Sequence, residues 1–174
     1  AAHAAEVIGI DYSHAFIDYA ERIRRGEEVP YLRADEGFDE TLLDARRPGG
    51  VDPARITFEQ GDAMHLRDDL GSFDIVHAAN LLCRLTQPAL LLERLPALVK
   101  SGGQLLLTTP CTWLEDFTPP ENWPPGSTRD WLHHTLEPHF ILEQELDLPF
   151  LIREHARKYQ WTVALGTRWR RRTR

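Results

Sequence analysis

The stretch Glu6-Val-Ile-Gly-Ile-Asp-Tyr-Ser-His14 constrains the fold more than any other part of this chain. An apolar run, Val7 to Ile10, ends on an acid, Asp11. Ser13 then opens an amphipathic helical pattern to about Arg25, with Phe16, Ile17, Ala20 and Ile23 on one face. Ser13 is a suitable N-cap, and Gly26 ends the pattern. A buried strand, an acid at its carboxyl end and a helix directly after it is the order of a doubly wound sheet. There, an acid ending the second strand holds the two hydroxyls of a nucleotide's ribose. A fold of that kind has a strand and a glycine-rich turn before this point, and residue 1 lies after where they belong. The expectation is an α/β domain whose first strand and glycine-rich loop are absent from this chain, or a fragment of a longer protein.

The length fits one domain with a sizeable core, 174 residues taken as a single, N-terminally incomplete unit. The only methionine is Met64 and residue 1 is alanine, which also points to an incomplete or processed start. Ala1 to Ala5 suits the end of a helix that precedes the first visible strand. No charged n-region precedes an apolar core, so no secretory signal is expected, and no stretch is apolar enough to cross a bilayer. Cys83 and Cys111 allow a single disulfide, but two unpaired thiols in a reducing cytoplasm is the preferred reading. A net charge of −7 argues against nucleic acid as a partner. The basic run Arg168-Trp-Arg-Arg-Arg-Thr-Arg174 is read as a solvated end that keeps the last strand soluble, in preference to a grip on phosphates.

Residues 27–53 are charged and broken by Pro30, Gly37, Pro48, Gly49, Gly50 and Pro53, and read as a polar insertion, either a hairpin or a surface excursion. Strands are expected at Arg55–Gln60, Phe73–Ala79 and Gln104–Thr109, and a leucine-rich helix at Gln87–Lys100. Pro88 falls in the first turn of that helix. Pro96 is late enough to bend or shorten it, and Ser101-Gly-Gly103 ends it. The alternation implies a mostly parallel sheet with crossover helices. Residues 111–126 are rich in tryptophan, proline and acid and read as a lid loop. A short helix over 129–138 and a strand pair, Phe140–Leu146 and Lys158–Ala164, complete the chain.

Gly61-Asp62-Ala63 closes the strand after the insertion. Ligands of open parallel sheets collect at the carboxyl ends of strands. Asp11, with Tyr12 and Ser13 beside it, and Asp62, with Ala63 and Met64, therefore form the candidate cofactor site. Asp62 can accept from an adenine amino group and Met64 can pack on the ring. Each acid alone also has a plain role, capping a helix or closing a turn; the coincidence of two strand-end acids favours a ligand. A nicotinamide enzyme places an acid like Asp11 as well. The later order separates the two classes: Phe73-Asp-Ile-Val-His, a leucine-rich helix, then Leu98-Val-Lys-Ser-Gly-Gly-Gln-Leu-Leu-Leu107. That order resembles the Rossmann-like class I S-adenosylmethionine-dependent methyltransferases, with the Gly-Gly turn leading into the fifth strand.

Three further segments are similar to the mercaptohistidine N-methyltransferases of ovothiol biosynthesis. They are Ala78-Ala-Asn-Leu-Leu-Cys-Arg-Leu85, Thr108-Thr-Pro-Cys-Thr-Trp-Leu-Glu-Asp-Phe-Thr-Pro119 and Leu148-Pro-Phe-Leu-Ile-Arg-Glu-His-Ala-Arg-Lys-Tyr-Gln-Trp161. One departure is Cys111, where the resemblance implies an aromatic residue. The resemblance implies methyl transfer from S-adenosylmethionine to an imidazole ring nitrogen of mercaptohistidine. It also implies an iron-dependent sulfoxide synthase domain, fused upstream or separate, as partner. Methyl transfer to an imidazole needs alignment, exclusion of water and a free lone pair on the attacking nitrogen. His77 is the first candidate near the methyl, ahead of His14 and His155. An amino-acid acceptor needs a carboxylate partner, for which Arg84 and Arg153 are candidates. It also needs an ammonium partner, for which Glu115 and Asp116 are candidates. Trp113 and Trp123 are candidates to wall a flat ring, while Trp161 reads as core. His133, His134 and His139 lack companions for a metal and read as surface histidines. The rival expectations are a class I methyltransferase with another small acceptor, and a non-catalytic module docked on a synthase domain.

Overall fold

A computed structural model describes residues 3–173. They divide into two compact units, Ala1–Ala63 with Ile152–Gln160, and Met64–Leu151 with Trp161–Arg174. Of the stretch Ala1 to Ala5, the first two residues lie outside the described ones and 3–5 form no helix; Arg174 also lies outside.

The first unit runs β1 (Val7–Asp11), α1 (His14–Arg24), β2 (Val29–Glu36), β3 (Asp39–Ala45) and β4 (Ile56–Gln60). β1 and β4 pair in parallel, from Val7 opposite Ile56 to Asp11 opposite Gln60. Gly9 permits this approach, because a Cβ there would lie 2.7 Å from the Phe58 ring. Ser13 caps α1, its hydroxyl accepting from the Phe16 N–H at 3.3 Å. Gly26 leaves the helix with φ 89°. The expected apolar face does not reach a core: Ile17, Ala20 and Ile23 are half-buried and Phe16 is 66% exposed. Within its unit α1 lies against β4, β1 and β2, and its stripe is still only partly covered. The charged region resolves into an antiparallel hairpin of β2 and β3, with Leu32 opposite Leu42. Its two-residue turn starts at Gly37 (φ 60°), a conformation that favours glycine there. The turn between the last two strands docks on this hairpin, Ala156 N–H donating to the Ala34 carbonyl at 3.0 Å.

The second unit is built from β5 (Phe73–Ala79), α2 (Pro88–Leu98), β6 (Val99–Thr109), α3 (Thr128–Leu136), β7 (Phe140–His155) and β8 (Lys158–Arg171), the last two crossing into the first unit at 152–160. Its sheet has the order β5-β6-β8-β7. β5 and β6 are parallel and β6 and β8 antiparallel. The mostly parallel sheet of the sequence reading is therefore corrected to a mixed one. A turn as short as Ala156-Arg157 between β7 and β8 can only join antiparallel strands. β7 and β8 run well past the expected segments, and the charges that interrupt the apolar pattern pair across the two strands, Glu143 with Arg168 and Arg170 and Glu154 with Lys158. Leu92, Leu95, Leu105, Leu107, Leu132, Leu136, Phe140 and Trp169 form the core of the unit, each no more than 1% exposed.

Pro96 does not stop α2, which continues to Leu98. Arg171 donates from Nε to the Pro96 carbonyl at 3.2 Å and satisfies an acceptor near the helix end. The basic C-terminal run is accordingly not a solvated tail. Arg171 also reaches the His139 carbonyl (2.7 Å), and Arg172 the Glu137 carbonyl (3.0 Å). Trp161, read as core, is 65% exposed on β8, on a stretch whose neighbour Val163 is also open at 45%. The Ser-Gly-Gly turn is a bulge at the start of β6, where the register shifts between Phe73 opposite Val99 and Ile75 opposite Gln104. A Cβ on Gly103 would lie 2.9 Å from the Asp74 and Lys100 carbonyl oxygens. These are backbone atoms that cannot swing away. Gly103→Ala is expected to cost about 1–3 kcal/mol, read as a lower midpoint in denaturant unfolding. No helix among the described residues is long and apolar enough to cross a membrane.

Candidate functional site

In the first unit, Asp11 ends β1 and Asp62 follows β4 by two residues, so both acids stand at the carboxyl tips of adjacent parallel strands. Three features draw the tips together. The Gly61 N–H donates to the Asp11 carbonyl at 3.0 Å. Gln60 Nε2 donates to the Tyr12 carbonyl at 3.1 Å. Gly61 has no side chain where a Cβ would meet Ile10 Cγ2 at 2.9 Å. Asp11 Oδ1 accepts from the Ser13 N–H at 2.8 Å, which fixes the carboxylate and leaves lone pairs on both oxygens. Ser13 is thus engaged as cap and donor, and Tyr12 is 74% exposed. A fixed, exposed carboxylate beside a second acid suits a vicinal diol and an amino-substituted base.

Among the described residues of the second unit, two that are not glycine have positive φ, Asn80 (52°) and Cys111 (53°). They follow the carboxyl tips of β5 and β6, which end at Ala79 and Thr109. Left-handed backbone at a non-glycine residue is strained, and such strain concentrates at functional sites. Thr108 holds Asn80 from both sides. The Asn80 N–H donates to the Thr108 carbonyl at 2.8 Å, and the Thr108 hydroxyl donates to Asn80 Oδ1 at 3.0 Å. The Asn80 side-chain NH₂ is left as a donor at the strand tip. Sequence reasoning missed Asn80 as a site residue; the only signal was an asparagine at a strand end, a residue that tolerates this conformation. His77 lies on β5 opposite Leu106, two positions before the strand ends, exposed and without a partner among the described residues.

The expected lid is pinned. The Thr118 hydroxyl, fully buried, donates to the Leu85 carbonyl at 2.7 Å. Asn122 donates to the Thr86 carbonyl at 2.8 Å. The Arg84 guanidinium lies over the Phe117 ring at 4.3 Å, joining two of the three segments that carry the resemblance. Trp113 donates from its indole to the Thr128 hydroxyl at 2.9 Å and meets Trp131 edge-on. Trp123 donates to the Thr118 carbonyl at 2.7 Å. Glu115 and Asp116 are exposed and unpaired among the described residues. Thr118→Val leaves the buried Leu85 carbonyl without its donor. It is expected to cost about 1–3 kcal/mol and to raise proteolytic cleavage within 112–123.

Met64, read as packing on an adenine ring, has its sulfur 3.3 Å from both the Thr86 hydroxyl and the Gln87 N–H, at the start of α2. Arg153 belongs to the first unit, donates to the Tyr159 hydroxyl at 2.6 Å and lines a cavity with Tyr31, Arg33 and Leu43. The guanidinium of Arg33, one of the lining residues, and the Thr41 hydroxyl hold the Asp35 carboxyl below its ordinary range. His155 Nδ1 accepts from the Arg157 N–H at 3.3 Å within the same turn. His133 is not a free surface histidine: it bridges Glu137 and Glu145 and stacks edge-on with Trp169. Cys83 is buried and Cys111 exposed, both as free thiols.

A strand-helix unit with parallel pairing and acids at its tips defines a nucleotide-binding α/β protein of the class I methyltransferase kind. The chain belongs to the methyltransferase domain family, whose model matches residues 1–161. The cofactor of this class is S-adenosylmethionine. Among solved structures, the chain is similar to a SAM-dependent methyltransferase from Methanosarcina mazei, at 16% identity and TM-score 0.63, over 97% of this chain and 83% of that one. It is also similar to the YcgJ protein of Bacillus subtilis, at 12% identity and TM-score 0.59, over 98% and 84%. The PH0226 protein of Pyrococcus horikoshii is a third, at 13% identity and TM-score 0.55, over 96% and 72%. No curated protein matches.

Proposed function

We propose that this protein transfers a methyl group to an imidazole ring nitrogen of mercaptohistidine, as in ovothiol biosynthesis. The observation that carries the cofactor half is the pair of acids at neighbouring tips of β1 and β4. Asp11, oriented by Ser13, takes the ribose hydroxyls, and Asp62, with Ala63, takes the adenine edge. When bound, S-adenosylmethionine supplies a methyl group activated by its sulfonium. The reading includes a further strand carrying the glycine-rich turn for the methionine part; among the described residues β1 pairs on one side only, with β4, which supports it. It also includes a sulfoxide synthase domain, fused or separate, that supplies the thiolated acceptor.

The acceptor half is carried by the second unit and by the motifs shared with the mercaptohistidine enzymes. An imidazole nitrogen attacks only with its lone pair free, so the other ring nitrogen must keep the proton. His77 can accept that N–H when neutral and so select the reactive tautomer. Asn80, fixed by Thr108, presents a donor at the same strand end. Arg84 on Phe117, with Trp113 and Trp123 in the pinned loop, shapes the acceptor wall and limits water. The test is incubation of the protein with S-adenosylmethionine and 5-mercaptohistidine, followed by mass spectrometry and proton NMR. One added methyl on a ring nitrogen is expected. Methylation of another small acceptor with mercaptohistidine untouched sinks the substrate assignment.

A further inference from the structure

A cavity of about 350 Å³ opens in the second unit beside the strained Cys111. Arg129 and Asp147 line it together with Cys111, the apolar Pro110, Val163 and Leu165, and the hydroxyl residues Ser127 and Thr128. Two charges of opposite sign share it. Arg129 turns its Nε toward Glu145 Oε1 at 2.8 Å, and its terminal nitrogens donate no hydrogen bond among the described residues. Glu145 is itself held, its other oxygen lying 3.2 Å from His133 Nε2, so the guanidinium is braced from behind. Asp147 has no hydrogen bond or ion pair among the described residues. Pro110, Val163 and Leu165 supply an apolar part of the lining. A guanidinium whose two terminal nitrogens are open and a carboxylate with no partner among the described residues, in one small cavity, match a zwitterion, and the apolar part of the lining matches the carbon that joins its two ends.

We propose that this cavity takes the α-amino-acid head of the acceptor, with the carboxylate on Arg129 and the ammonium on Asp147. The inference rests on the amino-acid acceptor proposed above and refines it. It moves the head group from Arg84, Arg153, Glu115 and Asp116 to one cavity that holds both charges. A guanidinium with its terminal nitrogens open binds a carboxylate at two points. Glu145 fixes where that fork points and is a positioning residue.

The test compares three probes with the same ring and different heads: L-histidine, histamine and imidazole-4-propionate. Binding to the protein is measured by ligand-observed NMR. The wild type is expected to prefer L-histidine over either truncated probe by about tenfold or more, the scale of one charged hydrogen bond. Arg129→Gln is expected to remove the preference over histamine and leave histamine binding unchanged. Asp147→Asn is expected to remove the preference over imidazole-4-propionate in the same way, and Arg129→Lys to keep part of the carboxylate preference. Equal binding of all three probes by the wild type, no binding of L-histidine, or a uniform loss across probes in Arg129→Gln overturns the assignment. The outcome is separable from the methylation assay. Head-group discrimination without methylation of mercaptohistidine leaves the cavity and sinks that acceptor. Methylation with head-group discrimination unchanged in both variants does the reverse.

Discussion

Asp11→Asn is expected to weaken binding of S-adenosylhomocysteine by about 10- to 100-fold, with little change in unfolding midpoint. The carboxylate is exposed at the tip of β1 and fixed by one backbone N–H, from Ser13. Replacing it by a neutral amide keeps one acceptor and turns the other into a donor that faces the ribose hydroxyls. A hydrogen bond to a charged group contributes about 1.5–3 kcal/mol, and one lost bond on that scale gives the stated range. The fold does not depend on this charge, because β1 is held by its parallel ladder to β4 and by the apolar run before Asp11. Isothermal calorimetry reads the affinity, and circular dichroism melting reads the stability.

Trp169→Ala is expected to cost about 3–5 kcal/mol, the range for emptying a buried tryptophan site. Trp169 is fully buried on β8, opposite Leu105 of β6 and edge-on to His133 at 5.4 Å. Its indole N–H is buried without a hydrogen-bond partner. Trp169→Phe therefore removes an unsatisfied donor while keeping most of the ring, and is expected to cost far less than the alanine change. Denaturant unfolding of the two variants separates loss of volume from loss of a polar group. Similar midpoints for both would contradict the packing assignment. The same experiment bears on the basic run, since Trp169 sits among the arginines first read as a solvated end.

The parts of the fold legible in the sequence are those set by local chemistry. β1, α1 with its Ser13 cap, β4 and β5 follow from apolar runs, a capping hydroxyl and closing glycines. Both strand-tip acids are visible for the same reason, as carboxylates directly after strand patterns. What escaped is set by partners distant in sequence. Pro96 falls in the last turn of α2, and its carbonyl, an open acceptor near the helix end, is taken by Arg171, 75 residues later. β7 and β8 are longer than their apolar segments, with charges paired across them, Glu143 with Arg168 and Arg170 and Glu154 with Lys158. Trp161 reads as core by residue type and lies open, and Phe16 does the same on α1. The left-handed backbone at Cys111 has no signature in its residue type. The cavity beside it is invisible until α3, β7 and β8 are brought to one place.

The role of the strand-tip acids is tested most directly by a pair of ligands that differ in one hydroxyl, S-adenosylhomocysteine and its 2′-deoxy counterpart. Each is titrated into the wild type and into Asp11→Asn. The expected result is a wild-type preference for the full ribose of about tenfold or more, and no preference in Asp11→Asn. Equal affinity of the wild type for both ligands would contradict the assignment of Asp11 to the ribose, and with it the placement of the adenosine at the tips of β1 and β4.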